Sequence, residues 1–190
     1  MTGIIMLLKQ GDIVLTRGYT LISTAIRFFQ KNKNEDDSMV NHTGIILVDA
    51  EIEDAEIIEA LSKVKCHKLV DAYAGTKEKI AIFRKHGLSG TERSCITRKA
   101  YSYVGRKYGF MKIVGHALDR CIGGKYVFRK LFRMDDYPIC SWVVAYAYDV
   151  LDIVFNNVEP WACQPDDIWD ECMYGNQYEC IYKLDYLKKI

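Results

Sequence analysis

A chain of 190 residues with 26 basic and 25 acidic side chains carries a net charge of +1, which gives no bulk electrostatic reason to expect nucleic acid or an anionic membrane as partner. Its composition, 49% hydrophobic and 27% charged with three prolines, is that of one folded domain spanning 1–190 rather than of a disordered or collagen-like chain. Seven cysteines, odd in number and without a C-x-x-C pair, argue against a disulfide framework and against a ribbon-type zinc site.

The first apolar run, IIMLL (4–8), has no basic leader and runs straight into Lys9, so no signal peptide is read there and a cytoplasmic protein is expected. GDIVLT (11–16) predicts a short strand, and Leu21, Ile22, Ala25, Ile26 and Phe29 recur at helical spacing through about Gln30. After the polar KNKNEDDS (31–38), HTGIILV (42–48) and EIIEA (56–60) read as buried strands joined by a solvated acidic tip, DAEIEDAE (49–56). CHKLV (66–70) and KIAIFR (79–84) continue the strand pattern. Ser89 and Glu92 have capping-box spacing and predict a helix to about Val104, stopped by Gly105. Residues 108–131 are glycine-interrupted, read as short helices or a lid. PICSWVVAYAYDVL predicts a helix from about Ile139 to Ile153, with Pro138 at its start and Trp142, Val143, Tyr146, Ala147 and Val150 as its buried stripe. PDDIW (165–169) predicts a short helical turn capped by Asp166 or Asp167, and YECIYKL (178–184) a closing strand. The sum is an α+β domain whose strands gather in the first half.

Cys140 falls in the first turn of the firmest helix, where unpaired N–H groups favour a thiolate. Asp135 and Asp136 work against this, and a packed core cysteine is the competing reading. A cysteine nucleophile needs a base, and His42, His67, His86 and His116 are the four candidates. His42 opens a strand of glycine and β-branched residues, a rigid element with a polar tip. The third role, orienting the imidazole, falls to Glu59, a carboxylate near the end of the apolar AEIIEA that needs a partner if buried.

Taken together, GDIVLTRG, NHTGIIL, IIEAL, PICSWVVAYAY and CQPDDIW resemble, in this order, the motifs of the circularly permuted papain-fold hydrolases of the YiiX/YaeF type within the NlpC-like superfamily. The resemblance implies an antiparallel sheet or small barrel packed on helices, with the nucleophile at a helix N-terminus. It carries the base onto His42, the third polar residue onto Glu59 and the nucleophile onto Cys140. Two departures are visible. Trp142 follows Cys-Ser where an acid or threonine is common, and GRKYGF offers Gly109 after Tyr108 where many members have an aspartate.

The expected activity is hydrolysis of an amide in a small peptide, amino-acid conjugate or cell-wall fragment through a thioester, with Tyr108, Tyr137 and Trp142 around the substrate. Tyr137 is the guess for a second oxyanion donor. No metal and no organic cofactor is called for. Two rivals stand beside it. Lipid acyl transfer is known in the wider superfamily, with VFRKLFR (127–133) as a basic amphipathic piece for a membrane surface. A non-catalytic binding module would keep the cleft with an inert thiol.

Overall fold

In the computed structural model, residues 7–19, Thr24, Arg27, 38–109 and 137–184 are described. The strands in chain order are β1 (Leu7–Leu8), β2 (Ile13–Arg17), β3 (His42–Ile46), β4 (Ala50–Glu51), β5 (Glu56–Ala60), β6 (Val64–Lys68), β7 (Lys79–Lys85) and β8 (Tyr178–Leu184). The helices are α1 (Leu69–Tyr73), α2 (Gly90–Tyr101), α3 (Cys140–Asp149) and α4 (Pro165–Tyr174). Six strands form one sheet in the order β6-β5-β3-β2-β7-β8, with every neighbouring pair antiparallel. β1 and β4 pair separately, so the acidic tip expected between β3 and β5 is partly a short ladder.

Both faces of the sheet are covered at its centre, which is why β5, β3, β2 and β7 are largely aliphatic rather than alternating with polar residues. On one face Ile13, Leu15, Ile45, Ile58 and Phe83 pack with Ile96, Val144, Tyr148 and Trp169 from the helices. On the other, Val14, Ile46, Ile57, Ile80 and Ile82 pack with Leu8, Leu69 and Tyr73. The GD pair before β2 has a structural explanation. Gly11 adopts φ +83°, a conformation that favours glycine, and its carbonyl accepts the Tyr148 hydroxyl at 2.6 Å. Asp12 is wholly buried. It accepts Arg84 Nε and Nη2 at 2.9 and 2.6 Å, Arg93 Nη1 at 3.5 Å and the Lys9 N–H at 2.7 Å, joining β7 and α2 to the sheet's entrance.

Several element boundaries differ from the sequence reading. CHKLV splits: the strand ends at Lys68 and α1 begins at Leu69, turning Tyr73 back over the sheet. α2 carries the expected capping box at Ser89 and Glu92 but ends at Tyr101, short of Gly105. α3 begins at Cys140 with Ile139 as N-cap, so Pro138 lies outside the helix. It stops at Asp149, and Val150 is exposed rather than part of the buried stripe. α4 runs for ten residues with Pro165 at its start. Its cap is Gln164, paired reciprocally with Asp167, rather than either aspartate. The helix expected over 21–30 lies outside the described residues except at Thr24 and Arg27, which are helical. His116, Asp135, Asp136, most of 108–131 and all of 127–133 also lie outside them. Among the described residues no helix is long and apolar enough to cross a membrane.

Candidate active site

His42 is the first residue of β3, and the ladder determines what it faces. Gly44 lies directly opposite Glu59. In an antiparallel pair, opposed side chains share a face, and so do residues two apart on one strand. His42 and Glu59 are therefore diagonal neighbours across a position with no side chain. A Cβ on Gly44 would come within 2.7 Å of Ile57 Cδ1 and 2.8 Å of the Ile58 carbonyl. The glycine of the HTG triplet is thus required for close approach of the two strands, and it clears the line between the imidazole and the carboxylate.

Glu59 is 1% exposed, and its oxygens meet three side chains. Oε2 is 2.7 Å from His42 Nε2 and accepts the Tyr73 hydroxyl at 2.5 Å; Oε1 is 2.6 Å from His67 Nε2. Burial alone pushes this carboxyl up, but the bonds and charge from His42 with the donors from His67 and Tyr73 outweigh it and hold Glu59 far below the ordinary carboxylate range. With Nε2 taken by Glu59, Nδ1 of His42 is the ring nitrogen left for sulfur, and the Cys140 side chain is near enough to raise the imidazole pKa by charge and hydrogen bonding.

Cys140 is the first residue of α3 and is buried. No side chain caps this helix, so its first N–H groups are available to other partners. The Ser141 N–H reaches the sulfur, as does the N–H of Thr43 on β3. The Cys140 N–H reaches the Tyr108 hydroxyl, which also bonds the sulfur. Burial pushes the Cys140 thiol up, but the His42 charge and hydrogen bond, with the two backbone donors, outweigh it, and the net direction is down. Burial pulls the His42 imidazole down, but the Cys140 and Glu59 charges and bonds carry it well above the ordinary histidine value. Opposite shifts on these two groups mean that each favours the charged form of the other. Burial and the nearby sulfur charge keep Tyr108 protonated, its pKa well above that of a free phenol.

Tyr108 arrives by backbone pairing. Its N–H donates to the Ser62 carbonyl, Gly105 N–H to Val64, and Val64 N–H to Arg106, with Lys63 and Lys107 bridged antiparallel. The loop 105–108 therefore docks against residues 62–64 at the start of β6, and Gly109 N–H then donates to the Pro138 carbonyl beside α3. Tyr137 is 40% exposed and enters none of the described contacts of the sulfur. The tyrosine at the Cys140 N–H is Tyr108. Trp142 is 2% exposed, packs edge-on to Tyr146 at 5.7 Å and borders a cavity of about 290 Å³ between α2 and α3. The sequence reading missed Tyr73 altogether and weighed His67 only as an alternative base. The strand pattern alone reveals neither role, because Tyr73 depends on where α1 folds back and His67 on the register of β6 against β5.

Ser38 and Asp166 support the approach to β3. The Ser38 hydroxyl lies 2.5 Å from Asp166 Oδ1 and 2.7 Å from the Val40 carbonyl, and Asn41 Oδ1 accepts the Gly18 N–H at 2.7 Å. The PD segment of α4 thus holds the loop that delivers His42.

No protein-family model matches the chain, and no curated protein matches it in sequence. Among solved structures it is similar to the crystal structure of metalloprotein YiiX from Escherichia coli O157:H7, with a TM-score of 0.63 and 19% identity over 93% of this chain and 97% of that one. This likeness establishes a shared YiiX-like fold, an antiparallel sheet packed against helices.

Proposed function

We propose that the protein is a cysteine-dependent hydrolase that cleaves an amide bond through a thioester. The observation that carries this reading is the convergence of Cys140, His42 and Glu59 from three separate segments, with His42 Nε2 2.7 Å from Glu59 Oε2 and with the thiol lowered and the imidazole raised by their mutual influence. The Cys140 thiolate attacks the carbonyl carbon, and the carbonyl electron pair moves to oxygen. That oxyanion is met by the Cys140 N–H and by the Tyr108 hydroxyl beside it. As the tetrahedral intermediate collapses, His42 Nδ1 gives its proton to the leaving amine, and the acyl group remains on sulfur. Neutral His42 then takes a proton from water, whose oxygen attacks the thioester and releases the acid and the thiolate. Glu59 stays ionised throughout, orienting the ring and stabilising it when charged. A small peptide or amino-acid conjugate suits this chemistry.

The solved neighbour is titled a metalloprotein, but the donors here do not fit a metal between imidazole and carboxylate. The two Nε2–oxygen separations are 2.7 and 2.6 Å, whereas ligands of a tetrahedral zinc stand roughly 3.3 Å apart. Among the described residues no three His, Cys, Asp or Glu side chains are grouped to hold a metal ion.

The test is a panel of acyl amides followed by acid quench and intact-mass analysis. A covalent acyl adduct mapping to Cys140, with release of the amine and loss of both in Cys140→Ala, is the expected result. Amine release that survives Cys140→Ala, or no adduct and no turnover across the panel, overturns the reading in favour of a binding module.

A further inference from the structure

The mechanism above uses one of the two histidines on Glu59 and leaves the other unexplained. His67 sits on β6, the edge strand next to β5, and the residue directly opposite Glu59 there is Lys65. The side chain that reaches the carboxylate is nevertheless His67, one diagonal step along, at 2.6 Å from Oε1. Oε2 already serves His42 and Tyr73. The described contacts therefore divide the carboxylate, with the two catalytic-side partners on one oxygen and His67 on the other.

We infer that His67 is a positioning residue: by donating from Nε2 to Oε1 it fixes the plane of the Glu59 carboxylate, so that Oε2 stays on His42 Nε2 and Nδ1 stays on the sulfur of Cys140. A carboxylate held at one oxygen only is free to turn about its last side-chain torsion, which is broad and two-fold. Once Oε1 is also held, the line from carboxylate to imidazole to thiolate has a single arrangement. Tyr73 alone does not supply this, because its hydroxyl acts on the same oxygen as His42. His67 is 18% exposed, so its ring reaches the carboxylate from the sheet edge and leaves one flank open to water.

This inference rests on the catalytic reading of Cys140, His42 and Glu59, but its readouts need no substrate. The first is the rate of iodoacetamide labelling at Cys140, followed by peptide mapping across pH 5–9. The second is the ring ¹⁵N and Nε2–H proton spectrum of His42. His67→Leu should slow Cys140 labelling at pH 6.5 about tenfold, the kinetic weight of one hydrogen bond to a charged group. It should also move or broaden the His42 Nε2–H signal. His67→Gln keeps a donor at similar reach and should restore labelling to within about threefold of the wild type. Should His67→Leu not fold, His67→Ala with added imidazole replaces it, and imidazole should raise the labelling rate. Wild-type labelling and an unmoved His42 signal in His67→Leu overturn the inference. So do equal losses in the Leu and Gln variants, or no rescue by imidazole, because a purely structural histidine would give those results. If the spectra and labelling respond as expected while no amide is turned over, the positioning role stands and the hydrolase reading fails.

Discussion

Two carboxylates are buried in the same sheet, Asp12 at the entrance to β2 and Glu59 on β5, with 0% and 1% exposure. Each is surrounded by donors, yet the donors differ in kind. Asp12 meets two guanidinium groups and a backbone N–H, groups that stay protonated at any ordinary pH. Glu59 meets two imidazoles and a phenol, and one of those imidazoles is bonded in turn to a thiol. The first arrangement fixes charge and cannot move a proton. The second holds a negative charge beside a group whose proton can be exchanged. Burial by itself therefore says little about role, and the titration range of the partners says much more.

The sharpest way to break this contrast is to remove each charge in turn. Glu59→Gln should fold and keep its melting temperature within a few degrees, yet lose up to about 10⁴-fold in kcat, because the amide no longer favours the correct His42 tautomer. Circular dichroism and amide turnover measure the two separately. A loss of folding with no separate kinetic defect would make Glu59 another Asp12. Asp12→Ala should do the reverse. It leaves Arg84 and Arg93 buried without their carboxylate, at a cost of about 3–5 kcal/mol in urea unfolding, while the folded fraction labels at Cys140 at the wild-type rate.

The pH dependence sharpens the contrast further. The Cys140 thiol lies below its ordinary value of 9.0 because His42 and the N–H groups of Thr43 and Ser141 outweigh burial. Its alkylation should therefore persist at pH values where Cys66, Cys163, Cys172 and Cys180, all raised by burial, are protonated, and fall only as acid protonates the thiolate. His42→Ala removes the main influence opposing burial, so the labelling midpoint should move upward. Once the midpoint lies above the assay pH, each further step of one pH unit slows labelling there about tenfold. A midpoint that does not move would make the imidazole irrelevant to the thiol. The smallest expected effect is at Gly44. Gly44→Ala forces a methyl against Ile57 and the Ile58 carbonyl and should cost about 1–3 kcal/mol by overpacking. It should also slow Cys140 labelling, because β3 and β5 are pushed apart between His42 and Glu59.

The strands, the α3 helix and His42, Glu59 and Cys140 as candidates were legible because each rests on a local pattern: a β-branched run, a helix start or a polar residue in an apolar strand. What was not legible depends on register and on the return of the chain. Gly44 reads as a weak strand residue until the ladder sets it opposite Glu59. His67 becomes a partner of the carboxylate through the register of β6 against β5, and Tyr73 because the CHKLV run breaks at Lys68 and α1 doubles back. Asp12 finds its arginines 72 and 81 positions away, beyond the reach of any sequence window. Trp142 reads as substrate-facing from its place beside Cys140. In the structure it packs edge-on to Tyr146 beside the cavity between α2 and α3.

The docking of 105–108 at the start of β6 has a consequence outside catalysis. β6 is a terminal strand of the six-stranded sheet, and an uncovered terminal strand is a template for pairing with another chain. The backbone bonds from Ser62 and Val64 to Arg106 and Tyr108 occupy part of that template. The segment that carries Tyr108 toward Cys140 also covers this short stretch of exposed backbone. Lengthening or loosening this loop to admit a larger substrate would uncover the Ser62–Val64 backbone, so a broader specificity gained here would carry a penalty in aggregation.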